Sequence, residues 1–158
     1  MKLLALRGEC LASLARPFSL DFTTQPLNGA GLFAITGETG AGKSTLLDAL
    51  CLSLYGRYPR LDFSSAEKTF DPGQEWLSIN DQRHILRRGA GFGYAETDFE
   101  AIDGLVYRAR WEVRRSREKS AGKLQAEKRS LTRLSDGQTL AAKTREVDQH
   151  IAHRHLPG

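Results

Sequence analysis

The chain has 158 residues, of which 40% are hydrophobic and 27% charged, with a formal net charge of +4. This composition is that of one soluble globular domain. No apolar stretch approaches the length of a membrane span, and residues 2–7 turn polar too soon for a secretory signal. Because Cys10 and Cys51 form no C-x-x-C pair, we expect buried, reduced thiols in a cytoplasmic protein.

The first predicted elements are short strands. Residues 2–8 predict a strand, and residues 18–22, which alternate apolar and polar side chains, predict a second. Residues 26–31 contain Pro, Asn and two Gly, and predict a loop. The apolar run at residues 31–36 is bounded by glycines and predicts a buried strand directly before the next motif.

Residues 37–44 match the phosphate-binding loop pattern G-x-x-x-x-G-K-[ST]. Its glycines let the backbone curl around phosphate oxygens, and the amide N–H groups at the start of the next helix face the anion. We expect Lys43 to reach the β- and γ-phosphates and to act in catalysis, Ser44 to bind Mg²⁺, and Thr45 to lie on the α-phosphate side. The candidate nucleotide-binding residues are Gly37, Glu38, Thr39, Gly40, Ala41, Gly42, Lys43, Ser44 and Thr45.

A helix is predicted over residues 44–55, because leucines recur there at helical spacing, and Gly56 is suited to end it. Asp48 is expected on the surface of this helix. Residues 57–74 are rich in Pro, Ser and Gly and predict a surface loop, and residues 79–88 predict a short helix that Gly89 ends.

The remaining residues predict an antiparallel β region followed by a helix. Strands are expected over residues 94–101, around residues 107–113 and over residues 123–134, with turns at Asp103-Gly104 and Asp136-Gly137. Four side chains of the middle strand alternate with charged ones and should pack inward: Tyr107, Ala109, Trp111 and Val113. Residues 141–155 predict a helix with Val147 and Ile151 inward. Trp76 and Trp111 are expected to pack in the core rather than to stack on bases.

A basic segment between Arg108 and Arg133 holds ten Arg and Lys residues against three Glu. Such clustering is expected of a surface that contacts the phosphate backbone of a nucleic acid. A solvated strand face with a charged hairpin tip explains the same pattern equally well. The candidate backbone contacts are Arg108, Arg110, Arg114, Arg115 and Arg117.

Several of these segments, taken together, resemble the SbcC family, the bacterial SMC-like ATPases that work with a nuclease in double-strand-break repair. The stretch from residue 31 to residue 61 carries the strongest likeness, and residues 55–61 separate this family from generic ABC-type ATPases better than the phosphate loop does. The segments that follow the family's order are residues 3–6, 21–22, 31–37, 46–55, 59–61, 86–89, 95–99 and 107–111.

The resemblance implies an α/β fold of the P-loop NTPase type, as the N-terminal half of an ABC/SMC-type head with an antiparallel β-lobe. It implies ATP and Mg²⁺ as cofactors, and four partners: the C-terminal head segment, a second head across two ATP molecules, an SbcD-like nuclease, and DNA. On this basis the chain divides into residues 1–56 with the phosphate loop, a loop-rich segment 57–91, and residues 92–158 with the β-lobe and terminal helix.

Several motifs of such heads do not occur in the sequence. There is no run of four apolar residues followed by Asp-Glu, so the Walker B acid and the catalytic base are missing, and there is no S-G-G signature or zinc-hook C-x-x-C. We therefore expect half of a head, which binds ATP and hydrolyses it only when other segments complete the site.

Two other interpretations stay open at this point. One is a different P-loop enzyme, such as an ABC transporter ATPase or a small-molecule kinase, although neither usually has this spacing around the loop. The other is a truncated, non-catalytic remnant that binds nucleotide weakly and nucleic acid through its basic strands. Salt-dependent DNA binding without any dependence on nucleotide would favour the second.

Overall fold

The computed structural model describes residues 1–61 and 65–155, and the side chains up to residue 152. The elements are β1 (Lys2–Glu9), β2 (Phe18–Asp21), α1 (Lys43–Tyr55), β3 (Lys68–Asp71), β4 (Glu75–Ser78), β5 (Phe92–Glu100), β6 (Val106–Arg114), β7 (Lys128–Arg133), β8 (Thr139–Ala141) and α2 (Thr144–His155). Two 3₁₀ turns, Gln82–Ile85 and Ser116–Glu118, lie before β5 and after β6.

Six strands form one antiparallel sheet, and two form a separate hairpin. The order in the sheet is β2-β1-β5-β6-β7-β8, so the chain runs as a meander from β5 to β8 while β1 joins the meander to β2. β3 pairs only with β4. Helix α1 packs over β5 and β6, and α2 packs over β7 and β8, so both helices cover one face of the sheet.

The core lies between this face and the two helices. Along β6, Tyr107, Ala109, Trp111 and Val113 are buried and alternate with half-exposed charged residues, as the period-2 pattern predicts. Ser53 on α1 is within hydrogen-bond distance of Thr97 on β5, at 2.6 Å between the hydroxyl oxygens, so a buried polar pair also links helix and sheet. Val147 and Ile151 of α2 pack inward, which confirms their prediction.

Helix α1 begins and ends at glycines in the left-handed region. Gly42 has φ 94° and Gly56 has φ 69°, values that side chains disfavour and that suit helix boundaries. The backbone N–H of Gly56 donates to the carbonyl of Leu52 at 2.8 Å, which closes the last turn. Both predicted boundaries are therefore confirmed to within one residue.

The strand predicted at residues 31–36 is wrong. The backbone there has no regular structure, and Leu32, Phe33 and Ile35 are 92%, 40% and 38% exposed. A strand needs a neighbour to complete its hydrogen bonds, and in the described ranges no strand lies beside this segment. The apolar run thus lies open to solvent, and only Phe33 finds an aromatic partner, Phe22, at 4.9 Å between ring centroids.

Three further expectations are corrected. Residues 57–74 are not loop throughout, because residues 68–71 form β3; residues 62–64 of that segment lie outside the described residues. The helix expected over residues 79–88 is reduced to the 3₁₀ turn at 82–85. Residues 139–141 pair with β7 as the edge strand β8, so the last helix begins at Thr144 rather than at residue 141.

The two tryptophans differ in their surroundings. Trp111 is completely buried, as expected, but Trp76 is 66% exposed because no described residue packs over its side of the β3–β4 hairpin. Asp48 is also placed differently from the prediction, since it is buried rather than on the helix surface. No helix within residues 1–61 and 65–155 combines the length and hydropathy needed to cross a bilayer.

Candidate functional site

A cavity of about 510 Å³ opens at the N-terminal end of α1. This volume lies within the range usual for small-molecule sites. The turn after β1, the loop before α1 and the segment after α1 all contribute to its wall, so it forms where three distant parts of the chain meet. Its lining residues are Ala12, Ser13, Thr39, Gly40, Gly42, Lys43, Ser44, Thr45 and Arg60.

The glycines of the loop are needed for its shape. Gly40 and Gly42 have φ of 85° and 94°, in the left-handed region. A Cβ built on Gly40 meets nothing within 4 Å, so the loop has open space above it there, whereas one on Gly42 would come 2.6 Å from Cδ2 of Leu14. Gly42 therefore also allows close packing against the turn that follows β1.

The first turn of α1 offers unsatisfied donors to the cavity. The backbone N–H groups of Lys43, Ser44 and Thr45 have no partner within the helix, as at the start of any α-helix, and the N-cap residue Gly42 offers them no side-chain acceptor. The aligned peptide dipoles place partial positive charge at the same end. An anion in the cavity would contact the N–H donors and the positive end of the helix dipole, as phosphate groups do at the N-termini of other helices.

Lys43 brings a full positive charge to the loop. Its Nζ donates to the carbonyl oxygens of Gly37 and Glu38, at 2.6 Å each. No carboxylate pairs with this ammonium group in the described part of the chain. No described carboxylate therefore competes with an anion for this group, and the two carbonyls hold it over the loop.

The remaining loop residues take different positions. Ser44 is exposed at the cavity wall, and Thr45 is buried, with its hydroxyl 3.2 Å from that of Ser13. Thr39 and Gly40 line the cavity. Gly37, Glu38 and Ala41 do not line it; the first two supply the carbonyls that hold Lys43, and the N–H of Ala41 donates to Glu38 at 3.2 Å.

Arg60 is a site residue that the sequence analysis did not select. Its guanidinium pairs with Asp48 of α1 and lines the same cavity. Asp48 is 3% exposed at its side chain, so Arg60 neutralises a buried carboxylate while half of its own surface stays open. Burial raises the pKa of the neighbouring Tyr58, and the charge of Asp48 raises it further. Residues 59–61 are among the segments that resemble the SbcC family, and this likeness was the only feature of the sequence that pointed to a role for Arg60.

These residues fit a nucleotide phosphate chain with a divalent cation. The cavity holds a cationic side chain, free backbone donors and an exposed hydroxyl on Ser44, which are the groups that such a ligand requires. Among the described residues no cluster of three His, Cys, Asp or Glu could hold a metal ion by itself. A cation here would depend on the phosphates for most of its ligands.

The predicted basic stripe is largely paired with acidic residues. On the face of the sheet away from the helices, Arg108 donates to Asp98 at 2.7 and 2.8 Å, and Arg110 donates to Glu96 at 2.9 Å. Hydrogen bonding to Asp98 raises the pKa of Arg108. Arg114 likewise donates to Glu112 at 2.9 Å. The structure therefore favours the solvated, ion-paired strand face over a free phosphate-binding stripe.

Arg115 cannot contact DNA as predicted. Its side chain is 8% exposed and donates to both oxygens of Asp71, at 2.6 and 2.8 Å. The alternation of β6 continues one residue past its end, so Arg115 lies on the same inward side as Val113, where it meets Asp71 of the β3–β4 hairpin. Arg117, in the turn that follows, is exposed.

Known proteins resemble this chain over nearly its whole length. A family model described as "AAA domain" matches residues 8–154. The SbcC component of the SbcCD nuclease of Rhodobacter capsulatus is 56% identical over 153 residues, and that of Pseudomonas aeruginosa is 58% identical over 142 residues; these alignments cover 96% and 90% of this chain. Each covers 12% of the relative, so the chain spans about an eighth of the length of these proteins.

A solved structure of similar fold comes from work on the ATP-driven dimerization and DNA-stimulated activation of SMC ATPases. It superposes with a TM-score of 0.58 at 18% sequence identity, over 97% of this chain and 78% of the other. At that identity the likeness concerns the fold alone. It confirms the predicted fold class, the N-terminal half of an SMC-type P-loop head with an antiparallel β-lobe.

Proposed function

The chain belongs to the AAA domain family, with SbcC proteins among its relatives, and on that premise we propose that it is the ATP-binding N-terminal half of an SbcC-like DNA repair ATPase head. Membership in this family implies nucleotide binding. ATP as the nucleotide, Mg²⁺ as the cation and DNA ends as the object of the reaction are our proposals. They come from the family resemblance and from the chemistry of the cavity.

The observation that carries the proposal is the cavity in front of α1. It combines an ammonium group without a carboxylate partner among the described residues with an uncapped helix start and glycines that leave room above the loop. These groups together bind a polyphosphate much better than they bind a neutral ligand, because each places positive charge or an N–H donor toward the same space.

Lys43, Ser44 and the backbone N–H groups at the start of α1 have different proposed roles in binding the nucleotide. Lys43 would leave the carbonyls of Gly37 and Glu38 and donate to the β- and γ-phosphate oxygens, where it also stabilises the charge that develops during transfer. The N–H groups of Lys43, Ser44 and Thr45 would donate to phosphate oxygens, and the hydroxyl of Ser44 would serve as a Mg²⁺ ligand. The cation, when bound, neutralises the phosphates. Arg60 would add a second cationic side chain at the cavity wall.

Hydrolysis needs groups from outside this chain. The sequence contains no Walker B acid or catalytic base, and phosphoryl transfer requires a positioned water besides the cradle. We propose that a C-terminal head segment supplies them and adds strands beside the open run at residues 31–36. A second head would close over the nucleotide, and an SbcD-like nuclease would act with the assembled heads.

The arginines of β6 and of the turn after it are the proposed contacts to a DNA backbone. Arg108, Arg110 and Arg114 could contact a DNA backbone only by exchanging their carboxylate partners for phosphates, and Arg117 is exposed. Arg115 is not a candidate. We keep the division into residues 1–56, 57–91 and 92–158 as the proposed organisation of the half-head.

The test is the affinity of the purified protein for MgATP, measured by calorimetry. We expect Lys43→Ala to weaken binding by about 10- to 150-fold, since charge-assisted hydrogen bonds contribute roughly 1.5–3 kcal/mol. The matched control is Lys143→Ala, which removes an exposed lysine on the segment before α2 and should leave the affinity unchanged. Equal affinity in the wild type and Lys43→Ala would contradict nucleotide binding at this loop.

A second measurement tests the half-head. ATP turnover should be absent from the chain alone and should appear when a C-terminal SbcC segment is added. Steady turnover by the chain alone, abolished by Lys43→Ala, would refute the need for a second segment while leaving the nucleotide site intact.

A further inference from the structure

The β3–β4 hairpin carries two aromatic side chains that face solvent. Phe70 and Trp76 are directly opposite each other across the two strands, with ring centroids 5.4 Å apart and planes at 64°. They are 57% and 66% exposed, although burying rings of this size is strongly favourable. Lys68 and Ser78 lie on the same face by the alternation of the strands. We name Lys68, Phe70, Trp76 and Ser78 the aromatic platform.

The platform is held firmly from below. Leu77, on the opposite face of the hairpin, is buried and belongs to the core cluster that also contains Trp111 and Leu124. Asp71 is bound by Arg115 through two hydrogen bonds, and its Oδ2 accepts a third from the N–H of Gly73 at 2.7 Å. A two-stranded hairpin alone is marginal in water, so these anchors are what keep the rings in place.

A basic cavity adjoins the platform. Its volume is about 230 Å³, and Phe70 forms part of both surfaces. Of its charged lining groups, Asp71 is bound by Arg115 and Arg83 is bound by Asp81. Arg88 is exposed and forms no ion pair within residues 1–61 and 65–152, and His84 also lines this cavity. The charge left open next to the aromatic rings is therefore positive.

We propose that the aromatic platform binds single-stranded DNA, with unpaired bases stacked on Trp76 and Phe70 and a flanking phosphate held by Arg88 and Lys68. Exposed rings beside cationic side chains are the combination that single-strand binders use, since every base has a face that can stack. The exposed Arg88 lines the cavity that adjoins Phe70, so a phosphate next to a stacked base would meet a complementary charge there. The choice of DNA over RNA comes from the proposed function, on which this inference rests.

The test uses the intact protein with whatever subunits accompany it. Affinity for a fluorescein-labelled dT15 strand, and for its blunt duplex with dA15, is measured by anisotropy. We expect Trp76→Ala to weaken strand binding by about 5- to 150-fold and Trp76→Phe to stay within about threefold of the wild type, because a smaller ring still stacks. Duplex binding should not depend on Trp76, because the bases of a duplex are already stacked on one another.

Two further measurements distinguish base stacking from charge–charge attraction, and a control variant tests for misfolding. Unlabelled dT15 should quench tryptophan fluorescence in the wild type, and most of that quenching should vanish in Trp76→Phe, because Trp111 is fully buried. Arg88→Ala should lower the salt slope of strand binding by about one unit. The control is Ile102→Ala, which removes a side chain that is 67% exposed in the β5–β6 turn and should change nothing.

Several outcomes would overturn the assignment. One is equal strand affinity in the wild type and Trp76→Ala; another is an equal loss for strand and duplex. Loss of a co-purifying polypeptide from Trp76→Ala, with strand affinity unchanged, would make the platform a protein-docking surface instead. None of these touches the nucleotide site, because MgATP binding and its loss in Lys43→Ala are measured separately.

Discussion

Removal of Arg115 tests whether this arginine supports the fold or contacts DNA. The side chains of Arg115 and Asp71 are 8% and 3% exposed, and the guanidinium donates to both carboxylate oxygens and to the carbonyl of Gly122, at 3.1 Å. Arg115→Ala would leave the Asp71 carboxylate buried with the N–H of Gly73 as its remaining donor. Breaking such a pair from one side costs about 3–5 kcal/mol, a large part of the roughly 5–15 kcal/mol that holds a domain folded.

The assay is urea unfolding at pH 7 of the wild type, Arg115→Ala, Asp71→Ala and the double variant. We expect each single variant to lose about 3–5 kcal/mol and the double variant to lose clearly less than the sum, because removing both partners leaves no unpaired buried charge. A single-variant loss below about 1 kcal/mol, or strictly additive losses, would refute the buried pair. A reduced salt slope of DNA binding with unchanged stability would restore Arg115 as a backbone contact.

The pH dependence of the unfolding free energy provides an independent test of the Arg115–Asp71 pair. Hydrogen bonds from Arg115 hold the pKa of Asp71 below its ordinary value of 3.8, against the opposing effect of burial. The pair therefore contributes its full stability above that value and loses it as the pH falls through the lowered pKa of the folded state. The free-energy gap between the wild type and Arg115→Ala should narrow below about pH 4. A gap that stays constant down to about pH 2 would contradict this coupling.

Three other substitutions probe the nucleotide site and the core. Gly42→Ala places a Cβ at φ 94° and 2.6 Å from Leu14, so we expect a loss of about 1–3 kcal/mol in urea unfolding; unchanged stability would show that the loop relaxes freely. Arg60→Ala leaves Asp48 buried without its partner and should lower both stability and MgATP affinity, measured by calorimetry, whereas Arg60→Lys should retain part of each. Leu131→Ala removes a fully buried side chain and should cost about 2–5 kcal/mol without changing MgATP affinity.

Local patterns predicted most of the elements. The alternation in β6, the leucine spacing in α1 and the glycines that bound this helix depend on residues close in sequence, and the structure confirms them. The clearest exception is the run at residues 31–36. It has the composition of a strand, but a strand forms only where a neighbour completes its hydrogen bonds, and no described strand lies beside it.

The phosphate-loop motif could be predicted from the sequence alone, because eight consecutive residues carry the glycines, the lysine and the hydroxyl that such a site needs. Which charged and aromatic side chains are available to a partner depends on long-range packing. Arg115 meets Asp71 across 44 positions and is buried, and Arg60 turns back to Asp48 at the cavity wall. Trp76 stays exposed because nothing in the described ranges packs over its face of the hairpin. Burial of a charge or a ring depends on what packs above it, and a one-dimensional pattern does not record that.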